Sequence, residues 1–211
     1  KPFLDSYRQE VREIRLSGAK HHKPAVAGTA GRKQLTTANF DQSGYSFNRK
    51  YAPLLNRQLC LSGCVATAMA IIMKYHNWPE RNSGSFSYTS EKGLRLSFDF
   101  QANPFKWSEM SDKPDANSSD AISMLQKACG VSVRMEYGAS ESYAYFSTVD
   151  YALRHYFYYD YPMHIVREDY DAETWDGILH NEIDAGRPVF IGGSSNSGGH
   201  AYVLDGYDDN L

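Results

Sequence analysis

The chain has 211 residues, enough for one large domain or two lobes around a cleft. Hydrophobic residues make up 42% and charged residues 22%, the proportions of a soluble globular protein with a packed core. The net charge of -3 and the scattered basic residues argue against a nucleic-acid partner, and no stretch is apolar for long enough to span a membrane.

In chain order, Leu4, Tyr7, Val11 and Ile14 recur at helical spacing between charged residues, which predicts an amphipathic helix over 4–16. Residues 17–33 are basic and turn-rich, with His21, His22, Lys23 and Pro24, and have no periodic apolar face. They read as a flexible linker, either a tail or a protease-sensitive connection to an upstream region. The chain begins at Lys1, without an initiator Met, and so reads as a processed or expressed piece.

From Leu35 onward the pattern is that of a folded domain. Residues 45–55 are aromatic and irregular. Residues 64–76 form a small-residue, apolar helix that stops before Pro79. Alternation at Phe86 and Tyr88, then at Leu94, Leu96, Phe98 and Phe100, predicts strands or extended loops within 83–105. A helix over 119–129 presents Ile122, Leu125 and Cys129 on one face, and 149–156 and 171–185 read as further helices. The end of the chain turns to strands at 188–191 and 201–207. Helices followed by strands fit an α+β domain better than alternating βαβ units.

The chemistry concentrates in two segments. In Gln58-Leu59-Cys60-Leu61-Ser62-Gly63-Cys64-Val65-Ala66-Thr67-Ala68, the helix opens at Cys64. A sulfur there meets first-turn N–H groups and the positive end of the helix dipole, both of which favour thiolate. Gly63 permits a tight turn and close approach of a substrate backbone. Taken alone, Cys64 is equally a buried core cysteine. A zinc site built on Cys60, Cys64 and His76 would need a fourth ligand and a second paired motif, and Cys129 stands isolated, so no metal is assigned. Three cysteines make a poor disulfide framework and leave at least one thiol free.

In the second segment, Gly198 and Gly199 lead into His200 and a period-two strand through Ala201-Tyr202-Val203-Leu204. An imidazole within reach of a thiol gives the pair that activates a cysteine nucleophile. His76, His155, His164 and His180 lack such a glycine approach and read as surface or packing residues.

Gly63 to Ala70, running on to Met73-Lys74-Tyr75-His76-Asn77-Trp78-Pro79, resembles the nucleophile helix of the streptopain-type, papain-like cysteine peptidases. Gly198 to Gly206 resembles that family's histidine strand. Weaker matches at Trp107, 130–138, Trp175 and Arg187-Pro188-Val189 extend the resemblance from about Leu35 to the end. It implies a two-lobe fold, with a helical lobe carrying the cysteine and an antiparallel-sheet lobe carrying the histidine. It also implies a cysteine endopeptidase without a cofactor, acting on proteins or peptides through an acyl-enzyme. Cys64 is then the nucleophile and His200 its proton partner. Gln58, with the Cys64 N–H, would form the oxyanion hole. Gly198, Gly199, Ser140 and Ser142 would meet the substrate backbone.

The family further implies a secreted or cell-surface bacterial enzyme made as a zymogen. Residues 1–33 would be the end of the inhibitory prodomain with its activation linker, and 34–211 the catalytic domain. In the family an Asn–Trp pair beyond the histidine orients the imidazole, whereas this chain ends at Leu211 before any such pair. Asp205 is an odd number of positions along the strand and should face the other way. The expectation is a C-terminally incomplete catalytic domain. The alternative is a catalytically impaired papain-like module that binds peptides.

Overall fold

The nucleophile segment decides the architecture, because its helix is apolar on every side and must be surrounded. In the computed structural model, which describes residues 9–15, 32–160, 162–195 and 198–208, this helix is α1 (Cys64–His76). Ten of its residues, from Val65 to His76, are buried, as expected for a helix without a polar face. Gly63 caps its start with φ 88°, and Asn77 ends it in the left-handed conformation.

Helix α1 packs against α2 (Ser119–Ser132), whose Ile122, Leu125, Ala128 and Cys129 are completely buried. Further helices are α3 (Val149–Phe157) and α4 (Ala172–Asp184). The Asp171 carboxylate caps α4 by accepting the Thr174 N–H at 2.8 Å. The main core also takes in Phe100, Phe105, Tyr137, Phe157 and Phe190, joining the helices to the sheet.

The strands are β1 (Gln9–Arg15), β2 (Arg32–Gln34), β3 (Leu54–Leu55), β4 (Gln58–Leu59), β5 (Ser85–Thr89), β6 (Arg95–Asp99), β7 (Met163–Val166), β8 (Val189–Ser195), β9 (Gly198–Leu204) and β10 (Gly206–Asp208). The main sheet is antiparallel with order β7-β1-β8-β9, and α1 lies against its β9 edge. Within the alternating stretch β5 and β6 are strands that pair as a hairpin, Phe86 with Phe98 and Tyr88 with Leu96. β10 pairs with β2, β3 with β4. The α+β papain-like arrangement of a helical part bearing the cysteine and a sheet part bearing the histidine is the one observed.

One expectation changes. Residues 9–15 are a strand and not part of a helix, because pairing with β7 and β8 on both edges satisfies the backbone that the apolar spacing assigned to a helix. β2 runs through residue 33: Gly206 pairs with Gln34, and Lys33 donates to the Asp184 carboxylate at 2.9 Å. The rest of the predicted N-terminal helix and linker, residues 4–8 and 16–31, lies outside the described residues.

Candidate active site

Cys64 and His200 reach the same groove from opposite ends of the folded domain. A cavity of about 720 Å³ is lined by Gln42, Leu61, Cys64 and Val65, by the 140–147 segment, and by Ser194, Gly198, Gly199 and His200. A smaller hollow of about 330 Å³ on the other side shares Gln42, Cys64 and His200. These three residues therefore sit where the two hollows meet. Cys64 is half-buried and His200 exposed. The free thiols Cys60 and Cys129 are both buried, and burial pushes both of their pKa values up.

Local folding accounts for the cysteine's position. Cys64 is the first residue of α1, and the first turn contains no acidic residue to offset the positive end of the dipole. A methyl group at Gly63 would lie 2.7 Å from the Met135 side chain and 3.1 Å from the Ser142 carbonyl, so the turn presses directly on the opposite wall. That wall is tied down: Leu61 N–H donates to Gly138 O at 3.0 Å, and Ser142 Oγ donates to Leu61 O at 2.8 Å while accepting Gly138 N–H at 2.9 Å. Ser142 is thus buried and spends its hydroxyl on the groove's own frame. Ser140 is exposed and lines the groove.

On the sheet side, His200 lies opposite Gly193, and Gly199 opposite Ser194. Gly198 has φ 128°, which disfavours any side chain, and both glycines are exposed along the groove. Phe146 forms part of the floor. Its ring occupies the space over Gly192, where an added Cβ would lie 2.7 Å from it, and reaches to within 3.6 Å of a Cβ placed on Gly199. Asp205 holds its carboxylate against Gln34 and the Thr36 backbone, and burial raises its pKa.

Gln58 is not in the groove. Asn56 and Arg57 take positive φ values of 51° and 65°, which turns 54–59 into a tight hairpin, and leaves Gln58 exposed and paired with Leu55. Counting back from Cys64 assumed a direct approach, which this hairpin interrupts. The glutamine beside the cysteine is Gln42, half-buried, its carbonyl accepting the Ser62 N–H at 2.9 Å. Nothing in the turn-like Asp41-Gln42-Ser43-Gly44 sets this residue apart from other loop glutamines. Two of the other histidines pack on tyrosines: His155 stacks on Tyr151, and His180 on Tyr207 with ring centres 4.2 Å apart. Among the described residues no group of His, Cys, Asp and Glu could hold a metal ion.

A family profile described as the Peptidase C10 family matches residues 40–211. Streptopain of Streptococcus pyogenes is 30% identical over 234 aligned positions, covering 98% of this chain and 58% of streptopain. The chain therefore spans a little over half the length of that relative. The solved structure of active interpain A from Prevotella intermedia, a cysteine protease, superposes with a TM-score of 0.75 at 30% identity, over 86% of this chain and 79% of the other. A prointerpain A fragment from the same organism gives 0.75 at 28% identity, over 88% and 62%.

Proposed function

The chain belongs to the Peptidase C10 family, and on that premise we propose that it is a cysteine endopeptidase that cleaves proteins through Cys64 and His200. The observation that carries this reading is the shared groove: a half-buried thiol at a helix N-terminus and an exposed imidazole beside two glycines line one cavity.

The Cys64 thiol passes its proton to His200, and its sulfur attacks the carbonyl carbon of the scissile bond. A C–S bond forms as the carbonyl π pair moves onto oxygen. The Cys64 N–H and the Gln42 side-chain amide donate to that oxyanion, Gln42 taking the part the resemblance placed on Gln58. Collapse of the intermediate breaks the C–N bond, and His200 gives its proton to the leaving amine. His200 then takes a proton from water, which attacks the thioester, releases the acid and restores the thiol. Gly198 and Gly199 leave room for the substrate backbone. Ser140 offers a hydroxyl to it, and Ser142 acts by holding the wall.

The N-terminal residues, to about 33, serve as the end of an inhibitory prodomain with its activation linker, in an enzyme exported by a bacterium. The prointerpain relative supports the zymogen form. Casein or a fluorogenic peptide incubated with the full-length gene product tests the reading. Hydrolysis that vanishes in Cys64→Ala and in His200→Ala is expected. A wild-type protein that binds peptides without cleaving them, even after removal of the N-terminal residues, would instead identify a peptide-binding scaffold.

A further inference from the structure

Gln126 on α2 is completely buried, yet it touches neither Cys64 nor His200 and does not line the groove. Its side-chain NH₂ donates to the carbonyls of Asp41, at 2.8 Å, and Ser46, at 3.0 Å. Two carbonyl acceptors fix which end of the amide carries nitrogen. Oε1 therefore faces Thr67, whose hydroxyl shares its one proton between Oε1 at 2.8 Å and the Gly63 carbonyl at 3.0 Å. With that proton committed, the Ser62 hydroxyl, 3.0 Å away, is the donor to Thr67 Oγ1.

The network has a specific destination. Asp41 precedes Gln42, and Ser46 closes the same loop by accepting the Asp41 N–H at 2.9 Å. The Gln42 carbonyl is itself held by the Ser62 N–H at 2.9 Å. Thr67 lies one turn beyond Cys64 on α1. One buried amide thus joins the nucleophile helix to both ends of the loop that carries Gln42.

We propose that Gln126 is a positioning residue that sets Gln42 against Cys64 for oxyanion stabilisation. This rests on the reading of Gln42 given above. A buried amide with all its partners satisfied holds a single geometry, because any shift leaves a carbonyl unpaired in a dry interior.

Gln126→Met keeps the side-chain bulk and removes every one of these bonds. It should lower kcat on a fluorogenic peptide at least tenfold, with KM changed less than threefold. Affinity for a peptide aldehyde should fall in parallel. The aldehyde adds Cys64 sulfur to its carbonyl carbon and the thiol proton to its oxygen without turnover, so this readout does not depend on hydrolysis. In a Gln42→Ala background the Gln126→Met loss should shrink below threefold. Thr67→Val breaks the network from its other end and should give a smaller loss, not additive with Gln126→Met. It supplies the readout if Gln126→Met does not fold.

Retention of kcat and aldehyde affinity within twofold in both variants would overturn the proposal, as would an undiminished loss in the Gln42→Ala background. Unchanged kcat and aldehyde affinity in Gln42→Ala itself would remove the underlying role of Gln42 and this proposal with it. A Gln42 effect without a Gln126 effect would remove this proposal alone.

Discussion

A methyl group added at Gly192 would sit 2.7 Å from the Phe146 ring, which also makes an edge contact with buried Phe190. Gly192→Ala should therefore push the ring toward the groove and destabilise the fold by about 1–3 kcal/mol. Urea denaturation measures the loss, and Phe146→Leu in the same chain should recover part of it. An undiminished loss in the double variant would place the strain elsewhere. The two glutamines separate in the same residue-level way. Gln42→Ala should reduce kcat by on the order of 10²-fold, the usual cost of one oxyanion donor, and Gln58→Ala should leave it unchanged. Cys64 and His200 were legible because each carries its own local signature, a glycine before a buried helix and paired glycines before a strand. Gln42 was not, since its place depends on an outward hairpin at 54–59 and a hydrogen bond to Ser62.

Among the elements, α1 could be read to the residue, because small apolar side chains on every face leave a buried helix as the only use for it. The 83–105 alternation pointed to strands for a similar reason, an inward face recurring every second residue, but left their pairing open. The N-terminal strand was misread, and β7 was passed over. β7 has only four residues, and both strands owe their state to partners distant in sequence. β1 lies between β7 and β8, so deleting residues 1–15 should leave β7 without its sheet neighbour and β8 with β9 alone. Hydrogen exchange in the truncated chain should accelerate at 163–166 and at those amides of 189–195 that face β1, while the amides paired with β9 stay protected. Protection unchanged from that of the intact chain would mean that β1 contributes nothing to holding the sheet.

At the scale of the whole molecule, stability should depend on pH through a half-buried charge on α2. Lys127 has its pKa lowered from the ordinary 10.5 to about 8, chiefly by burial, with Cys60 pulling the other way, and its ammonium lies 4.9 Å from the Tyr137 ring centre. Between pH 8 and 10.5 the unfolded chain then binds more protons than the folded one. The free energy of unfolding contributed by this residue rises with pH through that window and is flat below it. The difference in unfolding free energy between wild type and Lys127→Met should shift in favour of the wild type from pH 8 to 10, measured by urea titration. A difference constant with pH would show that Lys127 keeps its ordinary proton affinity.

The proposed function depends on the Cys64 sulfur and the His200 imidazole sharing one groove. The most direct measurement is the rate of iodoacetamide alkylation of each cysteine at mildly acidic pH, resolved by peptide mass mapping, in wild type and in His200→Ala. Cys64 should react well ahead of the buried Cys60 and Cys129, and His200→Ala should slow it by about tenfold or more. Equal labelling of the three thiols, or a Cys64 rate indifferent to His200, would contradict the pairing.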